Sequence, residues 1–250
     1  MFIVAIAEIE GEVEHAIRPL SEALGTTAYE LKLVFNAGLP AIVRVTADES
    51  QALSAKKAIA AFGHWPILCR RSDVVQSART RELRNFRFAP EGLVPEQGSN
   101  QRLSYDDVSV LLSATHRTTS ETSEQVKERQ FRPMAAVLSG GLILTKTTKR
   151  TVTSTTARIE QVLYIFSRSQ PPYLLRERSA NYTELGARRS PTSFENFNTT
   201  IEILRSRCPA ARYDERLRTN RPVRGVAEGV EATDIYAHIL SEYLSQCSPR

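Results

Sequence analysis

The residues of this chain with the means to do chemistry are four histidines, two adjacent carboxylate pairs, three cysteines and two basic clusters. His15, His64, His116 and His238 stand far apart, with no HxH or HxxxH spacing, so no zinc site is expected. His64 follows Gly63 at a helix end and is expected to cap it, whereas His116 opens a polar stretch and is expected to be solvated. Asp106 and Asp107 are neighbours, and on a strand their side chains point to opposite faces. They cannot readily share a substrate there, so a turn or cap role is expected. Asp214 and Glu215 are bracketed by Arg212, Arg216 and Arg218, the pattern of surface ion pairing. Gly140-Gly141 leads into Leu142-Ile143-Leu144 rather than into a helix with Lys-Ser/Thr, which reads as a turn or bulge and not a phosphate loop. Neither a metal nor a cofactor is expected.

Cys69, Cys208 and Cys247 are odd in number and widely spaced, without a CxxC pair. A disulfide framework is therefore not expected, and a reducing, cytoplasmic compartment is. The apolar run Phe2–Ala7 lacks a basic leader and is followed by Glu8, Glu10, Glu12 and Glu14, unlike an export signal. No window reaches the ~18 apolar residues of a membrane span.

Charge is unevenly spread. Residues 1–75 carry 7 Lys and Arg against 9 Asp and Glu, residues 76–225 carry 25 against 15, and residues 226–250 carry 1 against 4. The middle is basic, mostly through arginine, whose planar fork suits carboxylates and phosphates. Its densest spots, Lys146, Lys149 and Arg150 with Arg188 and Arg189, are the candidate anion-binding residues. Aromatic side chains are not interleaved with them, so a stacking platform for single strands is not expected.

The elements that must position these groups read as α+β. Phe2–Ala7 suits a strand buried on both faces, and Gly11 ends it. Val13, Ile17, Leu20 and Leu24 recur at helical spacing, with Pro19 marking a kink or boundary. Gly25-Thr26-Thr27 stops that helix and caps a second, with Glu30 in its first turn and Tyr29, Leu33 and Val34 as its apolar stripe. Asn36-Ala37-Gly38 stops the second helix. A strand (Ile42, Val43, Val45), a third helix opened by Asp48 and ended by Gly63, and a strand from Trp65 to Cys69 complete a β-α-α-β-α-β domain over 1–69. Residues 70–84 are polar and expected as a linker.

A basic, β-rich domain is expected over 85–225. It opens with a hairpin around Pro90-Glu91-Gly92 and continues in strands through 103–112, 160–166 and 172–176. Residues 115–132 lack an apolar cluster and are expected as a mobile or functional loop, and the Thr-rich 145–158 as a protruding hairpin or flap. Ser190-Pro191-Thr192-Ser193 caps a helix carrying Phe194, Phe197, Ile201 and Leu204. Residues 226–250 form an amphipathic helix capped at Thr233-Asp234, which packs on its own domain or docks a second copy as a homo-oligomer.

Two resemblances follow from these residues. The Leu24-Gly25 turn into Glu30-Leu31-Lys32-Leu33-Val34, with the Pro40-led strand and the helix ending at Gly63, resembles the C-terminal domain of the bacterial ribosomal stalk protein. Gly63-His64-Trp65-Pro66-Ile67-Leu68-Cys69 resembles the related adaptor fold that delivers substrates to the Clp protease. Both imply docking to another protein without catalysis. The stalk family's lysine-rich helical face corresponds here to Lys32, Lys56 and Lys57, the candidate docking residues. Glu10-Gly11-Glu12 replaces the adaptor's entry loop, so its amino-acid pocket is not carried over. The segments FRFAPEGLVPEQ and LSYDDV, with the helix after Thr192, resemble a bacterial pleckstrin-homology-like domain.

The function expected is that of a non-catalytic interaction or adaptor protein of the bacterial cytoplasm. The alternatives are binding of an anionic lipid or nucleic acid by the basic domain, and an enzyme with a site in that domain. A buried carboxylate or histidine with a displaced pKa would mark the enzyme.

Overall fold

A computed structural model describes residues 1–96, 102–131, 145–219 and 229–246, with the backbone alone over 119–131 and 145–157. The fold is α+β. The chain opens with β1 (Phe2–Glu8), α1 (Val13–Leu24), α2 (Ala28–Asn36), β2 (Ala41–Thr46), α3 (Glu49–Ala61) and β3 (Trp65–Arg70). β1 lies centrally in a sheet of order β2-β1-β3 and pairs antiparallel with both neighbours. Its alternation serves two cores at once. Val4 and Ile6 pack against Leu20, Leu31 and Ile59 of the three helices, while Ile3, Ala5 and Ala7 face a second cluster. That is why five consecutive apolar residues are wholly buried.

Local signals place the helices. Gly25 ends α1 in the left-handed conformation at φ 62°, and its amide hydrogen-bonds back to the carbonyl of Glu22. Thr27 then caps α2 in a reciprocal box: its hydroxyl accepts from the Glu30 amide while the Glu30 carboxylate accepts from the Thr27 amide. Pro19 is accommodated inside α1. A Cβ built at Gly25 meets no atom within 4 Å, so the cost of adding one there is backbone strain and not a clash. Gly25→Val is expected to lose roughly 1–2 kcal/mol in urea unfolding, because a β-branched residue is strained at positive φ. An unchanged midpoint would show that this turn does not need glycine.

The β-rich part contains β4 (Arg81–Glu82), β5 (Phe86–Ala89), β6 (Gly92–Pro95), β7 (Leu103–Ser104), β8 (Val108–Phe131), β9 (Thr145–Ser167), β10 (Tyr173–Arg176) and β11 (Arg212–Asp214). Two helices follow β10: α4 (Ser193–Arg207), capped by Thr192, and α5 (Gly229–Gln246). The hairpin β5-β6 extends to β7, and a five-stranded sheet has the order β11-β8-β9-β10-β4. β8 and β9 run antiparallel: the Arg168 amide donates to Asp107 and the Ser109 hydroxyl to Phe166, so partners descend on one strand as they ascend on the other.

This sheet also alternates between two cores. Val110, Leu112, Val162, Tyr164 and Leu174 face α5, whereas Leu111, Leu163, Ile165, Tyr173 and Leu175 face Phe197, Ile201 and Leu204 of α4. The same α5 cluster holds Ile3, Ala5, Ala7, Ile67 and Cys69 of the first sheet. α5 therefore lies between two sheets and is buried almost all round from Ala232 to Ser241, as a core helix must be.

Several expectations change accordingly. Thr233 and Asp234 do not cap α5; both are buried within it. Of the two readings of the last helix, packing on its own chain is the one seen over Gly229–Gln246. Residues 70–84 are not a bare linker, since Val74, Ser77 and Leu83 are buried and Arg81–Glu82 joins the five-stranded sheet. Residues 115–131 are strand rather than loop, because β8 continues beyond Ala114 through the polar run to Phe131. The chain forms two compact units, Met1–His116 with Glu160–Arg250, and Arg117–Ile159. No helix among the described residues is long and apolar enough to cross a membrane.

Candidate functional site

Inside the α5 cluster, five polar side chains meet, from β8, β9, β10, α5 and the 70–84 segment. Asp234 on α5 accepts three hydrogen bonds: from the Ser77 amide at 2.8 Å, from the Ser77 hydroxyl, and from the Tyr164 hydroxyl of β9 at 2.7 Å. His116 of β8 places Nε2 2.7 Å from the Tyr164 hydroxyl, and Arg176 of β10 places Nη1 3.3 Å from His116 Nδ1. Arginine can only donate, so Nδ1 is the acceptor and the proton is assigned to Nε2. All donors then point one way, from Arg176 through neutral His116 and Tyr164 to the Asp234 carboxylate. Arg176 also lies 3.4 Å from Glu160 and 3.8 Å from Glu82, at the half-buried end of the chain.

Burial dominates the electrostatics. It pushes the His116 pKa down to about 3, helped by the charge of Arg176. It raises Asp234 above the usual carboxylate range, against the hydrogen bonds of Ser77 and Tyr164 and the charge of Arg176. It also holds the Tyr164 hydroxyl well above its ordinary value, with the Asp234 charge adding to the effect. His116 was expected to be solvated. It is instead only 2% exposed, because its strand enters the core where the polar run begins.

A buried histidine and carboxylate are the mark set above for an enzyme. Here, however, Ser77, Tyr164, His116 and Asp234 are no more than 5% exposed and spend their hydrogen bonds on one another. No side is left for a substrate among these groups, and structural networks displace pKa values as active sites do. The chain acts as an internal clasp tying the 70–84 segment, β8, β9, β10 and α5 together.

The remaining candidates sit on the surface. α2 turns Leu31 and Phe35 inward and presents Tyr29, Lys32, Leu33 and Asn36 outward, an i, i+3, i+4, i+7 stripe. Tyr29 is 70% and Leu33 48% exposed. The inward stripe foreseen through Tyr29 and Leu33 is thus on the opposite side, because Leu31 and Phe35 fill the core more completely. α3 repeats the arrangement: Ala52, Ala55 and Ile59 are buried, and Leu53, Lys56, Lys57 and Ala60 point outward. The lysines of the first 96 residues, Lys32, Lys56 and Lys57, all stand on these two stripes beside exposed apolar side chains.

Arg188 and Arg189 end a 3-10 turn over Thr183–Arg188, and both are exposed. Arg188 lines a groove with Arg207 of α4, a residue the sequence did not single out. Lys146, Lys149 and Arg150 lie on β9 where the backbone alone is described, so their side chains fall outside the described residues, as does the Gly140-Gly141 pair. Asp107 accepts from the amide and hydroxyl of Ser169, holding a turn, and Asp214 pairs with Arg216 at 2.8 Å. His64 accepts the Glu10 amide and so fastens the loop after β1 rather than a helix end. Cys69 and Cys208 are buried free thiols, each pushed up to about 11 by burial and so poor nucleophiles. Among the described residues no cluster could hold a metal.

That Asp234, Tyr164, His116 and Ser77 meet was not foreseen, for a physical reason. They are spread over nearly 160 positions and share no spacing. The one available signal is a polar residue set in an apolar run, as Tyr164 is in VLYIF and His116 at the end of LLSATH. Compared with family models, curated proteins and solved structures, this chain matches none.

Proposed function

We propose that the protein works by docking another protein on the outward faces of α2 and α3, without catalysis. The observation that carries this reading is the stripe of Tyr29, Lys32 and Leu33: a largely exposed aromatic and a half-exposed leucine one turn apart, with an ammonium between them. Exposed aromatic and aliphatic side chains side by side are characteristic of recognition surfaces. The adjacent lysine, and the matching Leu53, Lys56 and Lys57 on α3, call for a partner segment that is apolar and acidic, such as an amphipathic helix with carboxylates along its rim. The resemblance to stalk and adaptor domains supports the same reading.

The test is photo-cross-linking from position 33, with exposed Arg178 on the far side of the chain order as the control position. Adducts are expected from position 33 and not from 178, with the captured peptide rich in Asp, Glu and apolar residues. Lys32→Glu should reduce the yield about tenfold while leaving the melting curve unchanged, since exposed substitutions shift stability by less than ~0.5 kcal/mol. Equal labelling from both positions, or a captured segment that is basic, would sink the proposal.

A further inference from the structure

We infer that the groove between the Thr183–Arg188 turn and the C-terminal half of α4 is a binding site for a small organic carboxylate with an apolar body. The groove has a volume of about 420 Å³ and is lined by Phe88, Glu184, Leu185, Arg188, Ile203, Ser206 and Arg207. That volume falls within the usual range for small-molecule sites, roughly 300–1,000 Å³.

Arg207 is fixed in place. Its guanidinium stands 5.2 Å from the Phe88 ring centroid and 5.5 Å from that of Tyr105. Nη1 donates both to the Ala89 carbonyl at 3.0 Å and to the Tyr105 hydroxyl at 2.9 Å. Those bonds occupy one nitrogen, and Nε and Nη2 have no partner among the described residues. A guanidinium held between two rings, with donors to spare, is an anchor already oriented for a planar anion. Arg188 supplies a second guanidinium to the same lining. Its contact with Glu202 is 3.9 Å, beyond hydrogen-bond length, and its side chain is 58% exposed.

The other lining residues narrow the ligand. Phe88, Leu185 and Ile203 supply the smaller, apolar part of an otherwise polar lining, continuous with the α4 core, and an apolar body would cover that part. Two arginines against Glu184 on the lining, with Glu202 3.9 Å from Arg188, hold too little positive charge for a phosphate dianion and suit one carboxylate taken by the spare donors of Arg207. The shared chemistry is therefore a monocarboxylate on an aromatic or branched aliphatic group. The site lies on different elements from the α2 and α3 stripes and stands without the docking reading.

The experiment is an NMR titration of the full chain with three probes: 3-phenylpropionate, its neutral amide, and inorganic phosphate. The carboxylate is expected to shift amides in 185–189 and 203–207 selectively at millimolar concentration. The amide, which lacks the charge, and phosphate, which lacks the body, should each bind at least tenfold more weakly. Arg188→Ala should weaken the carboxylate about tenfold, as loss of a charge-assisted contact does. Arg188 makes no hydrogen bond that the fold needs, so an unchanged melting curve is expected for that variant. Arg188→Lys should recover part of the affinity, since charge returns without the fork. No selective shifts with 3-phenylpropionate, equal binding of phosphate, or undiminished affinity in Arg188→Ala would each overturn the inference.

Discussion

Tyr164→Phe is expected to cost about 3–5 kcal/mol in urea unfolding, far more than one hydrogen bond normally contributes. The Tyr164 hydroxyl donates to Asp234 and receives from His116, and every group involved is buried. Its removal leaves a buried carboxylate short of one donor and a buried imidazole N–H without an acceptor. Each stranded group costs about 1–3 kcal/mol, and more where charge is involved. For a chain of this length the midpoint temperature should fall by roughly 10 °C. Phenylalanine fills the same volume, so the loss cannot be assigned to a cavity. Asp234→Asn should destabilise as well, and the Tyr164→Phe/Asp234→Asn pair should cost less than the sum of the singles, because the two share one bond. Additive losses, or a Tyr164→Phe cost under ~1 kcal/mol, would show that the chain of donors is not coupled.

Acid should weaken the fold well before the surface carboxylates titrate. Folded His116 resists protonation until pH falls to about 3, whereas the unfolded histidine takes up a proton near its ordinary value of 6.5. In that window the unfolded chain binds more protons. The contribution of His116 is therefore fully present above 6.5 and is lost as pH falls toward 3. The full window corresponds to about 4–5 kcal/mol, and the step from pH 6.5 to 4.5 to about 2–3 kcal/mol. Burial lowers His64 and His238 as well, which adds to the same slope. Asp234 opposes it. Its folded pKa is raised from 3.8, so between 3.8 and the raised value the folded state holds the extra proton and stability falls as pH rises. His116→Gln removes one titrating group while keeping a donor for Tyr164 and an acceptor for Arg176. Unfolding free energies of both proteins at pH 7 and 4.5 decide the matter. The loss on acidification should be about 2–3 kcal/mol smaller in the variant, and an equal loss in both would show that His116 is not the acid-sensitive group.

The features legible in consecutive residues are chiefly local. The Gly25-Thr26-Thr27 stop and cap, the Asp48 cap of α3, the Pro90-Glu91-Gly92 hairpin and the Thr192 cap of α4 are all written in consecutive residues. Backbone conformation and capping are short-range effects, so a few neighbouring side chains suffice to specify them. The α+β class follows from the same periodicities. Tertiary structure decided which faces are buried and which polar groups meet. On α2 the apolar residues Tyr29, Leu33, Leu31 and Phe35 encircle the helix, and the packing against α1 and β2 chose the last two. β8 runs on through polar residues to Phe131 because a strand is secured by its partner's backbone as well as by apolar side chains. Asp234 read as a helix cap because threonine and aspartate favour caps. It became a core residue only because Ser77 and Tyr164 arrive from two other segments to satisfy it, with His116 and Arg176 extending the chain of donors from two more. Contacts between residues so distant in the chain have no local signature, since a buried charge is tolerated through what surrounds it in space.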